Sequence, residues 1–248
     1  IYILGSDSIK GDFLFFLITF GPLLVTILYV SKLKFAFKNQ ININPSNIFS
    51  YFRGSTPYFW AALSSVLYLQ ATPLIVATMV EGTEFASYAI ALTIVMATYL
   101  IPTTFYSKYF IGVVHKFGKN RKKIKEIQFF GNLASFIVGI LVACFFYFIQ
   151  DFIFDFLLSN KFEYGKKFYL LLLIDIPIRY CLCNSGAILM IEKLKIHKAR
   201  ALLWIALLNF CFLILVIGSM GAIGAIYSLI FCDILLLLLF NFAIKRSL

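Results

Sequence analysis

Long, almost uncharged apolar stretches, separated by gaps that alternate between basic and acidic, leave this chain few ways to fold. Seven such stretches run approximately over residues 13–30, 57–80, 86–107, 128–150, 168–190, 201–217 and 222–243. Each can cross a bilayer as a helix, because roughly 20 apolar residues cover about 30 Å of hydrocarbon. Of the 22 Lys and Arg residues, 17 fall in the C-terminal tail and in every second gap. Lys32, Lys34, Lys38 and Arg53 occupy the first gap. The third gap holds the run from Lys108 to Lys125, the fifth holds Lys193, Lys195, Lys198 and Arg200, and the tail carries Lys245 and Arg246. The positive-inside rule makes these gaps cytoplasmic. The N-terminal segment, the gap at Glu81 and Glu84, and the gap with Asp151, Asp155 and Glu163 then face outward.

Composition agrees with this class. The hydrophobic share is 62%, against about 45–50% in soluble domains, and only helices or closed barrels satisfy their backbone in lipid. Runs of about 20 residues, in place of ten-residue alternating ones, exclude the barrel. The fold expected is an all-α polytopic membrane bundle of seven transmembrane helices. Residues 1–31 form an outer segment and the first span, 32–56 a basic cytoplasmic linker, and 57–248 a six-helix lobe. The first residue is Ile1, and no signal-peptide layout is present. With an odd number of spans and the N-terminus outside, the chain reads as the back portion of a longer protein. A net charge of +11 points to anionic membrane lipid, not nucleic acid.

No metal or cofactor signature is expected. Cys144, Cys181, Cys183, Cys211 and Cys232 lie within spans and act as small apolar residues. His115 and His197 lie in separate gaps, and there is no P-loop. The linker ends in Ser55-Thr56-Pro57, a helix-start signal. Pro22, Pro73, Pro102 and Pro177 each fall inside a span, where the missing N–H frees a carbonyl for a neighbour or a wet cavity.

The strongest chemical signal is Asp175 with Arg179. A span over 168–190 would be roughly 35 Å long with Arg179 near its middle. At i,i+4 the two share a face and can pair, which offsets a cost of about 2.5–3.5 kcal/mol for a charge in lipid. The pair either lines a lumen, with Arg179 meeting an anionic substrate and Asp175 holding its side chain, or locks two helices together. Asp233 lies mid-span without a basic residue within a turn. It is a neutral acid hydrogen-bonded to a neighbour, or a carboxylate facing a polar cavity or another helix's cation, where it could couple transport to protons or sodium. In the second span Ala61, Ser64, Ser65, Tyr68 and Thr72 fall within an arc of roughly 100°, a face suited to packing or to a cavity wall, and Gln70 points away. Asn132, Ser135, Gly139 and Ala143 form a small-residue packing face in the fourth span.

Ser55-Thr56-Pro57, the Tyr68 span, the turn Glu81-Gly82-Thr83-Glu84, Ala86-Ser87-Tyr88-Ala89 and Gly221-Ala222-Ile223-Gly224-Ala225-Ile226 together resemble the second half of bacterial polysaccharide flippases. These belong to the multidrug, oligosaccharidyl-lipid and polysaccharide exporter superfamily. The resemblance implies a chain covering helices six to twelve of a two-lobed carrier in the bacterial inner membrane. It implies translocation of an undecaprenyl-pyrophosphate-linked oligosaccharide by alternating access, with polysaccharide assembly proteins as partners. On that basis Arg179, Asp175, Tyr68 and Ser64 are the expected substrate contacts and Asp233 the coupling residue. The chain departs from the family where a seventh-helix acid would stand, at Thr72 or Pro73, and at Ala86 in place of Gly. An ion-coupled multidrug or small-molecule exporter is the alternative. A membrane transferase or polymerase would need a large outer loop, and the longest one, from Asp151 to Lys167, has only about 17 residues, so no enzyme is expected.

Overall fold

A computed structural model describes residues 45–118, 120–157, 163–191 and 194–247. The first expected span, 13–30, and most of the linker lie outside the described residues. The chain divides into two compact units, Ile1–Gly54 and Ser55–Leu248, and the site described below lies wholly in the second. The described elements are all helical: α1 (Pro45–Met79), α2 (Gly82–Phe105), α3 (Ile111–Phe117), α4 (Arg121–Phe148), α5 (Glu163–Leu173), α6 (Asp175–Ile188) and α7 (Lys195–Ser247). A turn of wider π-helix, Tyr106–Phe110, joins α2 to α3, and another, Phe152–Leu157, follows α4.

Four helical stretches are long and apolar enough to cross a membrane: Phe59–Met79, Gly82–Phe117, Arg121–Phe148 and Lys195–Arg246. The pair formed by α5 and α6, bent by 43°, makes a fifth. Large side chains such as Phe129, Leu141, Phe148 and Leu215 are exposed on the outside of the bundle, as lipid-facing residues are.

The longest of these stretches folds back on itself. Gly221 has φ 59° and ψ −142°, a backbone conformation reserved almost entirely for glycine. Across it the Ser228 hydroxyl donates to Asn209 Oδ1 at 2.8 Å, and the rings of Phe212 and Phe231 lie 5.4 Å apart. In a straight helix Asn209 and Ser228 would be about 28 Å apart. Helix α7 is therefore a hairpin with a first arm over 195–220 and a second over 222–247, matching the two stretches expected there. Glu84, in the first turn of α2, holds the bend by accepting the Ala222 N–H at 2.8 Å. That bond satisfies an orphan donor and places a carboxylate at the positive end of the second arm. Glu84 and Gly221 thus mark one end of the bundle, and Lys125 and Lys245, which share a groove, mark the other.

Several expectations need correction. Helix α1 begins at Pro45, so Ser55-Thr56-Pro57 lies inside a helix and does not start one; Pro45 itself fits the first helical turn. The gap expected between the third and fourth spans is largely helical, since α3 reaches Phe117 and α4 starts at Arg121 behind an Asn120 cap whose Oδ1 accepts the Lys123 N–H at 3.2 Å. The span expected over 168–190 is broken at Ile174. Pro177 sits in the first turn of α6 and cannot donate to the Leu173 carbonyl, so the helix bends there.

The prolines and small residues also explain how the helices approach. Pro102 leaves the Thr98 carbonyl without an intrahelical donor, and the Tyr180 hydroxyl supplies one at 3.2 Å. Helices α4 and α6 come so close that a Cβ added at Gly139 would lie 2.6 Å from Pro177 Cα. Ser135 and Gly139 are buried in that contact, as expected of a small-residue face. The inward face of α1 also agrees with the stripe: Ala61, Ser64, Tyr68 and Thr72 are buried and Gln70 is exposed. Thr72 Oγ1 accepts from Asn209 Nδ2 at 2.9 Å, which ties α1 to the hairpin.

Gly221→Ala should be the most damaging single-methyl change at the bend. Its Cβ would meet Glu84 Oε1 at 2.6 Å, and the backbone conformation alone costs about 1–3 kcal/mol. Thermal unfolding of the purified chain in detergent should show a clear loss for Gly221→Ala and a smaller one for Glu84→Gln. Equal stability to the parent would refute the hairpin.

Candidate functional site

Three helices and the second arm of α7 bring five side chains together at mid-depth. Arg179, on α6, directs Nε to Asp175 Oδ2, one turn before it, at 3.4 Å, and forms a closer ion pair with Asp233 Oδ2 on the second arm. The break at Ile174 places Asp175 at the start of α6, on the same face as Arg179. Tyr68 on α1 donates to Asp233 Oδ1 at 2.8 Å and also approaches the Leu229 carbonyl at 3.3 Å. Tyr99 on α2 donates to Asp175 Oδ2 at 2.9 Å. The two rings flank the guanidinium, their centroids 5.3 Å (Tyr68) and 5.6 Å (Tyr99) from Arg179 Cζ, within cation–π range. Both aspartates are fully buried.

The formal charges do not cancel. One guanidinium faces two carboxylates, so the fully ionised cluster carries −1 in a setting where an isolated charge is expensive. Asp175 Oδ1 and Arg179 Nη2 are buried without a hydrogen-bond partner among the described residues. A proton or a monovalent cation bound at the carboxylates would bring the sum to zero.

Arg179 also lines a cleft of about 230 Å³. Lys198 shares that cleft, its ammonium donating to the Gly186 carbonyl at 2.9 Å. Ser65, Thr103, Tyr106 and Ser107 bring hydroxyls to the same walls, and Tyr106 is tied to Ser135 at 2.5 Å. The cleft therefore offers two cations of α6 and α7, together with hydroxyl oxygens of α1, α2 and the π turn that can accept, their own protons being donated to backbone carbonyls and, from Tyr106, to Ser135. Cys183 and Gly186 lie on this side of α6, as their spacing from Arg179 implies, while Asn184 turns to α4 and donates to Asn132 Oδ1 at 2.8 Å.

Of the residues singled out from the sequence, the structure brings Arg179, Asp175, Tyr68 and Asp233 into one cluster. Ser64 lies one turn from Tyr68, buried, its hydroxyl without a hydrogen-bond partner among the described residues. The cation available to Asp233 proves to be Arg179, from another helix. Tyr99 and Lys198 are additions. Tyr99, in the third expected span, could have been found by pairing it with the buried acid at 175. Lys198 carried no separate signal, because a lysine at a basic helix end reads as facing water. No group of three or more potential metal ligands occurs among the described residues.

Removing the guanidinium should leave two buried carboxylates facing each other. Arg179→Met is expected to cost about 3–5 kcal/mol, the range for breaking a buried ion pair on one side. Adding Asp175→Asn and Asp233→Asn to it should restore much of that loss, as measured by unfolding in detergent. A triple variant no more stable than Arg179→Met would show that the charges are not coupled. Compared with protein-family models, curated proteins and solved structures, the chain matched none.

Proposed function

We propose that this chain works in a membrane carrier that translocates a lipid-linked oligosaccharide, the undecaprenyl-pyrophosphate-linked repeat unit of a surface polysaccharide, by alternating access. The observation that carries the reading is the cleft in which Arg179 and Lys198 face a wall of hydroxyls. Paired cations meet a pyrophosphate by charge-assisted hydrogen bonds, and the hydroxyl oxygens of the cleft, whose own protons are already donated within the protein, accept from sugar hydroxyls. The basic ends of the helices face the cytoplasm of a bacterial inner membrane on this reading, so the cleft is loaded from the side where the substrate is made.

The excess carboxylate favours a second element, ion coupling, which the alternative of an ion-coupled small-molecule or multidrug exporter shares. A proton arriving at the cluster sits on a carboxylate oxygen of Asp175 or Asp233 and takes the sum from −1 to 0. That weakens the hold on Arg179 and leaves the guanidinium freer to meet an anion in the cleft. Release of the proton reverses the exchange.

Lys198→Ala should lower binding of a short-chain polyprenyl-pyrophosphate oligosaccharide by the purified chain in nanodiscs by about tenfold, one charge-assisted contact's worth. Lys198→Arg should recover most of it, and the dephosphorylated lipid should bind weakly to all three proteins. Equal affinity for the charged and neutral lipids would sink the flippase reading. In cells that make the polymer, Asp233→Asn should lower surface polysaccharide and remove its dependence on the proton gradient. Unchanged sensitivity to a collapsed gradient would retire protonic coupling.

A further inference from the structure

Away from the central cluster, α4 and the second arm of α7 enclose a groove of about 710 Å³ at the basic end of the bundle. The two helices run in opposite senses, yet their walls present the same order of chemistry from that end. On α4 it is Lys125, then the amides of Gln128 and Asn132, then Leu133 and Phe136; on the facing arm it is Lys245, then Asn241, then Leu237. Cation sits opposite cation, amide opposite amide, and apolar side chain opposite apolar side chain.

Each level has an unusual feature. Lys125 and Lys245 are exposed and form no ion pair among the described residues, so two like charges face one space without a counter-charge. The amide level is closed by Gln128 Nε2 and Asn132 Nδ2, which donate to Asn241 Oδ1 at 2.8 and 3.2 Å. Ser185 stands behind it, donating to Asn132 Oδ1 at 3.1 Å. These amides are only half-buried and line the groove between exposed lysines and exposed apolar side chains such as Leu133 and Phe136. Below them the walls are aliphatic and aromatic.

We infer that this groove is a binding site for an anionic glycerophospholipid, with the phosphate between Lys125 and Lys245, the ester carbonyls at the amide level, and an acyl chain along Leu133, Phe136 and Leu237. A free phosphate would leave the apolar level uncovered. A neutral lipid would leave the two lysines without a counter-charge, and an apolar peptide would leave both the lysines and the half-buried amide level facing groups that offer them nothing polar. Of these, only an anionic lipid matches all three levels in their order. The site is independent of the cleft at Arg179 and of any transport role.

The test uses the chain in nanodiscs of phosphatidylcholine doped with phosphatidylglycerol, with bound lipid counted by native mass spectrometry after mild detergent extraction. Phosphatidylglycerol should be retained over phosphatidylcholine. The double variant Lys125→Ala/Lys245→Ala should bind it roughly thirtyfold more weakly, at about 1 kcal/mol per basic residue near an anionic surface. Lys122→Ala, exposed on the same helix but outside the groove, should leave retention unchanged, and Leu133→Trp, which fills the apolar level, should reduce it with both lysines intact. Equal retention of the two lipids, an unaffected double variant, or displacement of the lipid by millimolar inorganic phosphate would each overturn the assignment.

Discussion

The shared ion pair of Arg179 with Asp175 and Asp233 is the constraint around which the rest of the bundle is arranged. A lone guanidinium at mid-depth would oppose insertion, so α6 can occupy the interior only with carboxylates beside it. One comes from its own preceding turn and the other from the second arm of α7. The tyrosines of α1 and α2 complete the enclosure, each donating to one carboxylate and lying against the cation. Four segments distant in sequence are thereby held at one level, and none of the four can shift along its axis without exposing a charge to hydrocarbon.

Two backbone features make that arrangement reachable. The first is the break at Ile174, which bends α5 against α6 by 43° and starts a new helix at Asp175. The same Pro177 that causes the bend is the surface onto which Gly139 packs, so the kink and the close approach of α4 are one feature seen from two sides. The second is the reversal at Gly221, which returns the chain beside its own first arm and so brings Asp233 back to the depth of Arg179. Glu84 fixes the reversal from α2. The start of α2 at Glu84 and the start of the second arm at Ala222, far apart in sequence, meet in this one hydrogen bond.

The sequence made the helical class and the inward residues legible because lipid exacts a large penalty for misplaced charge. Long uncharged runs and segregated lysines leave little choice, and Asp175, Arg179 and Asp233 stand out as the deep charges. The same reasoning found the small-residue face of α4, since only small side chains permit so close an approach. What it could not supply was the partner of Asp233. An i,i+4 pairing is a local property, whereas the Arg179–Asp233 pair depends on how a helix and a hairpin arm cross. Tyr99 was missed for the same reason. The helix start at Ser55-Thr56-Pro57 failed differently: capping residues report a local preference, which a helix already under way from Pro45 overrides. Lys198 was hidden by its position, because a lysine at a helix end can extend to water or fold inward to a carbonyl, and the Gly186 carbonyl that decides the matter belongs to another helix.

The central cluster and the cleft share Arg179, and that sharing constrains any mechanism more tightly than either does alone. A cation already facing two carboxylates is a poor anion receptor, because an incoming phosphate must compete with acids that are buried and preorganised. Lys198, which donates to a neutral carbonyl and forms no ion pair among the described residues, has no such competitor there, so an anion entering the cleft would meet it at lower cost. For Arg179 to contribute, one carboxylate must first lose its charge or move away. Neutralisation needs only one proton, whereas movement would require α6 and the second arm to separate and leave Tyr68 and Tyr99 without acceptors. Charge neutralisation is therefore the lower-cost way to release Arg179, and under the proposed function anion binding in the cleft would depend on occupancy of the cluster even though no atom of the substrate need touch Asp233.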